Sequence, residues 1–209
     1  MDVTQIIGPH RVRCGDLESF DLNHLMNGEK AAVIYSDPPW GPGNLRYWRT
    51  MNKQDFPGSG QERWVKFLAM FASAVDEHLA PDGVALIEMG NRWRTDLTSV
   101  MEATGFAIHG TWTILYGSPK RPNLLMAFAR KGIPKPSLAN VQGFTGFNAV
   151  LNAVRPVARP GEILLDPCCG LGNSAEAAME TGMVFRGMEL NPARLARTVK
   201  RLQEGTRAR

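Results

Sequence analysis

Short runs of β-branched and aromatic residues alternate with longer stretches in which apolar residues recur every three or four positions. This alternation predicts an α/β domain on a mainly parallel sheet. Ala31–Ser36 (AAVIYS) is a continuous apolar run that stops at two prolines, as a buried strand does. Gln61–Ala80 puts Trp64, Phe67, Leu68, Phe71, Val75 and Leu79 on one face of a helix. Gly83–Met89 (GVALIEM) predicts a second strand, followed by a helix near Thr95–Thr104. Ile108–Tyr116 and Leu124–Ala129 predict two strands joined by the basic turn SPKRPN, with an antiparallel hairpin as the expected pairing. Phe147–Val157 is then helical, Glu162–Asp166 a strand, Asn173–Thr181 a helix and Val184–Leu190 a strand. The last helix has clear start chemistry: Asn191 as cap, Pro192 at the first position, and Leu195, Val199 and Leu202 as its apolar stripe. The Pro/Gly-rich segments Trp40–Asn44, Pro57–Gly60 and Gly132–Gly146 read as loops within one domain spanning 1–209.

Composition narrows the class. With 209 residues, 44% hydrophobic and 21% charged, the chain is neither disordered nor fibrous. No apolar stretch approaches the ~20 residues of a membrane span, and the N-terminus lacks a secretory pattern, so a cytoplasmic protein without membrane partners is expected. Three cysteines, two of them adjacent, offer neither a bridge framework nor a metal spacing, and His10, His24, His78 and His109 are scattered. The charge is unevenly placed. Between Glu102 and Glu162 there is no acid, while Lys120, Arg121, Arg130, Lys131, Lys135, Arg155 and Arg159 fall in that segment. Removing those seven leaves 17 basic against 20 acidic residues, a net of −3, so the positive excess sits where a polyanion-facing surface is expected.

Two segments carry chemistry. After the strand EILLD comes Pro167-Cys168-Cys169-Gly170-Leu171-Gly172-Asn173 and a helix; a strand, glycine turn and helix in that order let backbone approach a nucleotide-like ligand. Glu189, at the end of the next strand, can accept from ribose hydroxyls, and the pair indicates an adenosine-type cofactor, either a nicotinamide cofactor or S-adenosylmethionine. Pro167-Cys168 has the order of a cytosine-C5 nucleophile, but its place inside the turn makes both cysteines small buried residues lining the cofactor side. The second segment is Asp37-Pro38-Pro39-Trp40, directly after a strand. A nucleobase amine is a poor nucleophile because its lone pair is delocalised. A carboxylate and a rigid proline carbonyl can hold its N–H bonds, and an aromatic ring can stack on an extruded base, worth about 1–3 kcal/mol.

On these residues the chain resembles the nucleic-acid amino-methyltransferases that act on N6 of adenine or N4 of cytosine. The order, with Cys14-Gly15-Asp16 and DPPW first and DPCCGLGN and FRGMELNP last, is similar to the permuted β class of DNA methyltransferases. The resemblance implies a Rossmann-like S-adenosylmethionine-dependent methyltransferase fold: a mainly parallel seven-stranded sheet with one antiparallel strand and helices on both faces. It implies Asp37, Pro38, Pro39 and Trp40 as the catalytic segment. For the cofactor it implies Asp166, Cys168, Cys169, Gly170, Gly172 and Asn173 around the methionine part, Glu189 at the ribose, Asp16 at the adenine amine, and Asp37 beside them. The family's aromatic in the glycine turn is Cys168 here, and its His-Pro-x-x-Lys-Pro-like segment is replaced by Gln142–Asn148.

The segments 41–60 and 117–146 are the candidate nucleic-acid-contacting loops. Arg46-Tyr47-Trp48-Arg49 interleaves basic and aromatic side chains, and Lys120 and Arg121 mark the hairpin turn. The expected activity is N6-adenine methylation of DNA by direct in-line transfer. RNA adenine methylation, DNA N4-cytosine methylation and an idle nucleic-acid-binding subunit of a heteromeric methyltransferase are the alternatives. A homodimer, or a partner that supplies sequence specificity, fits the absence of room for a large recognition domain.

Overall fold

A computed structural model describes residues 4–19, 21–115, 122–134 and 136–207. Strand β3 (Ala31–Ser36) is buried along its whole length and sits near the middle of the sheet. From Val33 on, alternate side chains feed two cores: Val33 and Tyr35 enter one, Ile34 the other. Helices α1 (Asp21–Met26), α3 (Gly60–His78) and α4 (Arg94–Ala103) cover one face, and α5 (Gly146–Val154), α6 (Asn173–Glu180) and α7 (Pro192–Arg207) the other. Helix α3 buries Trp64, Phe67, Leu68, Phe71 and Val75 as its periodicity requires. Ser59 caps it by accepting from the Glu62 amide (3.2 Å).

The remaining strands are β1 (Gln5–Ile7), β2 (His10–Cys14), β4 (Leu79–Met89), β5 (Phe106–Leu115), β6 (Pro122–Arg130), β7 (Ile163–Asp166) and β8 (Val184–Glu189). They lie in the order β1-β2-β8-β7-β3-β4-β6-β5. β2, β8, β7, β3 and β4 are parallel neighbours, while β6 and β1 run against them. Among the described residues the sheet therefore has eight strands with two reversed, not seven with one. The missed pair is the N-terminal hairpin. Its strand β2 (HRVRC) carries two arginines, which hide it from a hydrophobic pattern, and Arg11 is neutralised by Glu29 (3.0 Å). The expected β5–β6 hairpin is present, with its turn, including Lys120 and Arg121, outside the described residues.

A second correction concerns Gly41–Gly60, expected as a loop. Residues Gly41–Met51 form helix α2. Pro42 in the first turn begins the helix rather than breaking it, and Leu45 and Arg49, four apart, face inward. A third concerns the basic segment. Arg130 pairs with Asp76, Arg159 with Asp82 (2.8 Å), and Lys131 Nζ reaches the Glu102 carbonyl (3.3 Å). These residues and Arg155 sit at the amino ends of the parallel strands, while Lys120, Arg121 and Lys135 lie outside the described residues. Among the described residues no helix is long and apolar enough to cross a membrane.

Candidate active site

The carboxyl ends of β3, β4, β7 and β8 deliver Asp37, Glu88, Asp166 and Glu189 to one end of the sheet. Asp37 is half-buried, and its Oδ1 accepts from Trp40 Nε1 at 2.9 Å. The Trp40 amide donates to Asn44 Oδ1 (3.1 Å), which ties DPPW to the first turn of α2. Withdrawal from water pushes the Asp37 carboxyl well above the ordinary carboxylate range. Glu88 and Asp166 add to this, and the Trp40 bond and Arg194 oppose it.

The glycine turn is built on carboxylates that hold backbone. Asp166 Oδ1 accepts from the Cys168 amide (3.0 Å) and Oδ2 from the Ser174 hydroxyl (2.5 Å). Burial raises Asp166 to about 7 against those two hydrogen bonds. Glu189 Oε2 accepts from the Gly170 amide and Oε1 from the Asn191 amide, both at 2.8 Å, and burial raises this carboxyl too. Burial also pushes both the Cys168 and Cys169 thiols up, so neither is a ready nucleophile.

The cleft above this end brings together Asp16, Asp37–Trp40, Trp48, Cys168 and Glu189. Cys169 instead belongs to the core, and Asp166, Gly170, Gly172 and Asn173 form the turn beneath rather than the cleft wall. Gly170 (φ +55°) and Gly172 (φ +86°) both have left-handed backbone. The Cβ position of Gly172 would lie 2.9 Å from Thr198 Oγ1, so what presses on this glycine is α7.

Helix α2 roofs the cleft, and here the expected nucleic-acid contacts divide. Arg49 is buried: its Nη2 lies 2.8 Å from Glu18 Oε1 and 3.0 Å from Asp16 Oδ1, and its Nη1 donates to Gln54 Oε1 (3.0 Å). It is a clamp within the chain rather than an outward cation. Asp16 also accepts from Gln54 Nε2 (3.2 Å), so its carboxylate is engaged by α2 and the segment that follows. Arg46 stands over Phe56 at 5.8 Å, outside the cleft. Trp48 lines the cleft, with the Arg194 guanidinium 4.6 Å from its ring.

Sequence reasoning missed three participants. Arg194 reaches across the glycine turn to 3.9 Å from Glu189; a cation in the first turn of a helix opposes the dipole and was the available signal. Glu88, a buried acid at the carboxyl end of β4 among apolar neighbours, accepts from the Tyr35 hydroxyl (2.5 Å) and Asn123 Nδ2 (3.1 Å). Asn52 accepts from Asn191 Nδ2 (2.9 Å), joining the end of α2 to the start of α7, and nothing in the pattern announces it.

No protein-family model and no curated protein matches the chain by sequence. Solved structures do. M1.HpyAVI in complex with S-adenosylmethionine matches with a TM-score of 0.68 at 15% identity, over 91% of this chain and 98% of that one. TTHA0409 of Thermus thermophilus, provisionally assigned as a DNA modification methylase and also solved with S-adenosylmethionine, gives 0.69 at 18%, over 94% of each chain. The PvuII DNA methyltransferase, cytosine-N4-specific, gives 0.63 at 16%, over 95% of this chain and 90% of that one. The fold of this chain is the fold of these proteins.

Proposed function

We propose that the chain is an S-adenosylmethionine-dependent DNA amino-methyltransferase acting on N6 of adenine, and that residues 1–209 work as one catalytic unit. The observation that carries this reading is a shared opening. The Asp37 carboxyl, held by Trp40, faces the same cleft as Cys168 and Glu189 at the ends of strands that lie side by side. The structural neighbours solved with S-adenosylmethionine support it.

The residues present suit the cofactor. Asp37, Glu88, Asp166 and Glu189 form an acidic cluster countered at the cleft by Arg194, a setting that favours a cationic ligand. In this reading Glu189 accepts from the ribose hydroxyls, Cys168 and the turn above Asp166 meet the methionine part, and the Asp16 side of the cleft takes the adenine ring. Bound there, the cofactor supplies an electrophilic methyl group on a sulfonium. Asp37 and the Pro38 carbonyl accept the two N–H bonds of the base amine and aim its lone pair. Trp40 fixes the Asp37 carboxyl in that orientation. Asp37, its basicity raised by its dry setting, takes the proton that the amine loses on gaining the methyl group.

The cluster makes cofactor binding sensitive to pH. A cationic ligand favours ionised carboxyls, and Asp166, with its pKa at about 7, is partly protonated in the free protein at and below neutrality. Affinity for S-adenosylmethionine should therefore rise with pH up to about 7 and then level off, with protons released on binding below that point. Titration calorimetry in buffers of different ionisation heat measures both quantities. An affinity that is flat from pH 5.5 to 8, with no proton release, would contradict the acidic-cluster reading.

Activity is tested by transfer of tritiated methyl groups to duplex DNA with nucleoside analysis of the product. N6-methyladenine is expected. The likeness to the PvuII cytosine-N4 enzyme favours N4-methylcytosine as the second reading. Tight cofactor binding without transfer to DNA would point to RNA or to a missing partner subunit.

A further inference from the structure

The turn after β4, Asn91-Arg92-Trp93-Arg94, repeats the basic–aromatic alternation of Arg46–Arg49 and stands beside the DPPW segment. The two are interlocked by a reciprocal exchange of tryptophan and glycine. Trp40 rests on Gly90, where a Cβ would lie 3.5 Å from Trp40 Cβ. Trp93 rests on Gly41, where a Cβ would fall 2.2 Å from the indole, a distance no side chain tolerates. Trp93 is held from behind by Trp64, with ring centres 5.6 Å apart at 64°, and Trp64 Nε1 donates to Asp96 Oδ2 (3.1 Å). The turn is thus rigidly registered to Asp37–Trp40.

Arg92 and Arg94 are exposed, and among the described residues neither forms an ion pair. Arg92 lies over the Trp93 ring at 5.1 Å, which fixes its stem without neutralising its charge. Neighbouring arginines are committed elsewhere: Arg49 to Asp16 and Glu18, Arg63 to Glu18 (3.1 Å). Two like charges stand two residues apart at the start of α4, where the helix dipole also disfavours them, so folding alone gives them no reason to be there. A guanidinium fork matches phosphate oxygens bidentately.

We propose that Arg92 and Arg94 grip backbone phosphates of the DNA strand beside the base seated at Asp37–Trp40. This rests on the DNA-methyltransferase reading above. The Trp40–Gly90 and Trp93–Gly41 lock would then set the distance between the gripped backbone and the reacting amine, which positions the base without reading its sequence.

The test is fluorescence anisotropy of a labelled 20-base-pair duplex with S-adenosylhomocysteine present, at 50–200 mM KCl. Each phosphate contact contributes about 0.9 to the slope of log K against log salt. R92A/R94A should flatten that slope by about 1.8 and weaken binding about tenfold at 100 mM salt. R92K/R94K should keep most of both, because lysine retains the charge. R155A, an exposed cation at the far end of the sheet, should change neither. Cofactor affinity, measured by calorimetry, should stay at the native value in every variant, which also shows that each one folds. A native chain that binds DNA while R92A/R94A keeps its slope and affinity overturns this proposal alone. A native chain that binds cofactor but no DNA at any salt overturns both this proposal and the reading beneath it.

Discussion

Asp37→Ala should cut methyl transfer by about 10³-fold or more while leaving the affinity for S-adenosylmethionine within about threefold of native. The substitution removes the acceptor that aims the amine and the base that takes its proton. It also frees Trp40 Nε1, whose 2.9 Å bond to Asp37 Oδ1 sets the indole orientation. A folding defect would not explain the loss. Asp37 lies among Glu88 and Asp166, both of which push its pKa up, so deleting it relieves like-charge repulsion and should leave stability unchanged or slightly raised. Asp37→Asn separates the two roles, because it can still accept from Trp40 but cannot take a proton at neutral pH. Its rate should fall nearly as far as that of the alanine variant. Initial rates at saturating DNA and cofactor, with cofactor affinity measured by calorimetry, decide the matter. An Asp37→Ala chain with native rates would remove Asp37 from the chemistry.

Where the sequence was legible, one local signal was enough. The strands β3 and β7 are apolar up to their last residue, and α3 has a one-sided stripe behind a Ser59–Glu62 cap. DPPW, Cys168 and Glu189 could be placed because each is fixed to a strand end, and strand ends in a parallel sheet share one rim. What was illegible came from competing signals or from distance. Gly41-Pro42-Gly43 reads as loop punctuation, yet its proline sits where a helix accepts one. Arg11 looks like the mark of a surface segment, although Glu29 makes it compatible with a strand. Arg49 looks like a nucleic-acid contact and turns inward because Asp16 and Glu18, more than 30 positions earlier, meet it there. Arg194 and Asn52 reach the cleft only through the docking of α2 against α7, which no local pattern encodes.

Gly172, singled out for a ligand, also has a reason within the fold to be glycine. A glycine turn after a strand reads as close approach to a ligand, and the space a Cβ at Gly172 would need is taken by Thr198 of α7. A Cβ there would lie 2.9 Å from Thr198 Oγ1 and 3.0 Å from Thr198 Cα. The hydroxyl cannot swing aside freely, because it donates to the Gly170 carbonyl (3.1 Å), and the helix backbone moves only if the whole helix moves. Displacing α7 disturbs Leu195 and Leu202, both buried in the core. Left-handed backbone at φ +86° adds about 1–2 kcal/mol for any residue with a Cβ. Gly172→Ala should therefore cost about 3 kcal/mol in the absence of any ligand, a fall of about 10 °C in Tm for a chain of this size. Gly170→Ala is the internal comparison. Its Cβ would meet the end of the Arg194 side chain, 2.6 Å away and able to move, so its cost should be about 1 kcal/mol. Adding Thr198→Ala to Gly172→Ala should return part of the lost stability, because it removes the clashes with Oγ1 and Cγ2 and leaves the one with the helix backbone. A Gly172→Ala chain that melts at the native temperature without cofactor and loses only cofactor affinity would mean that α7 yields, and that the glycine is kept for the ligand after all.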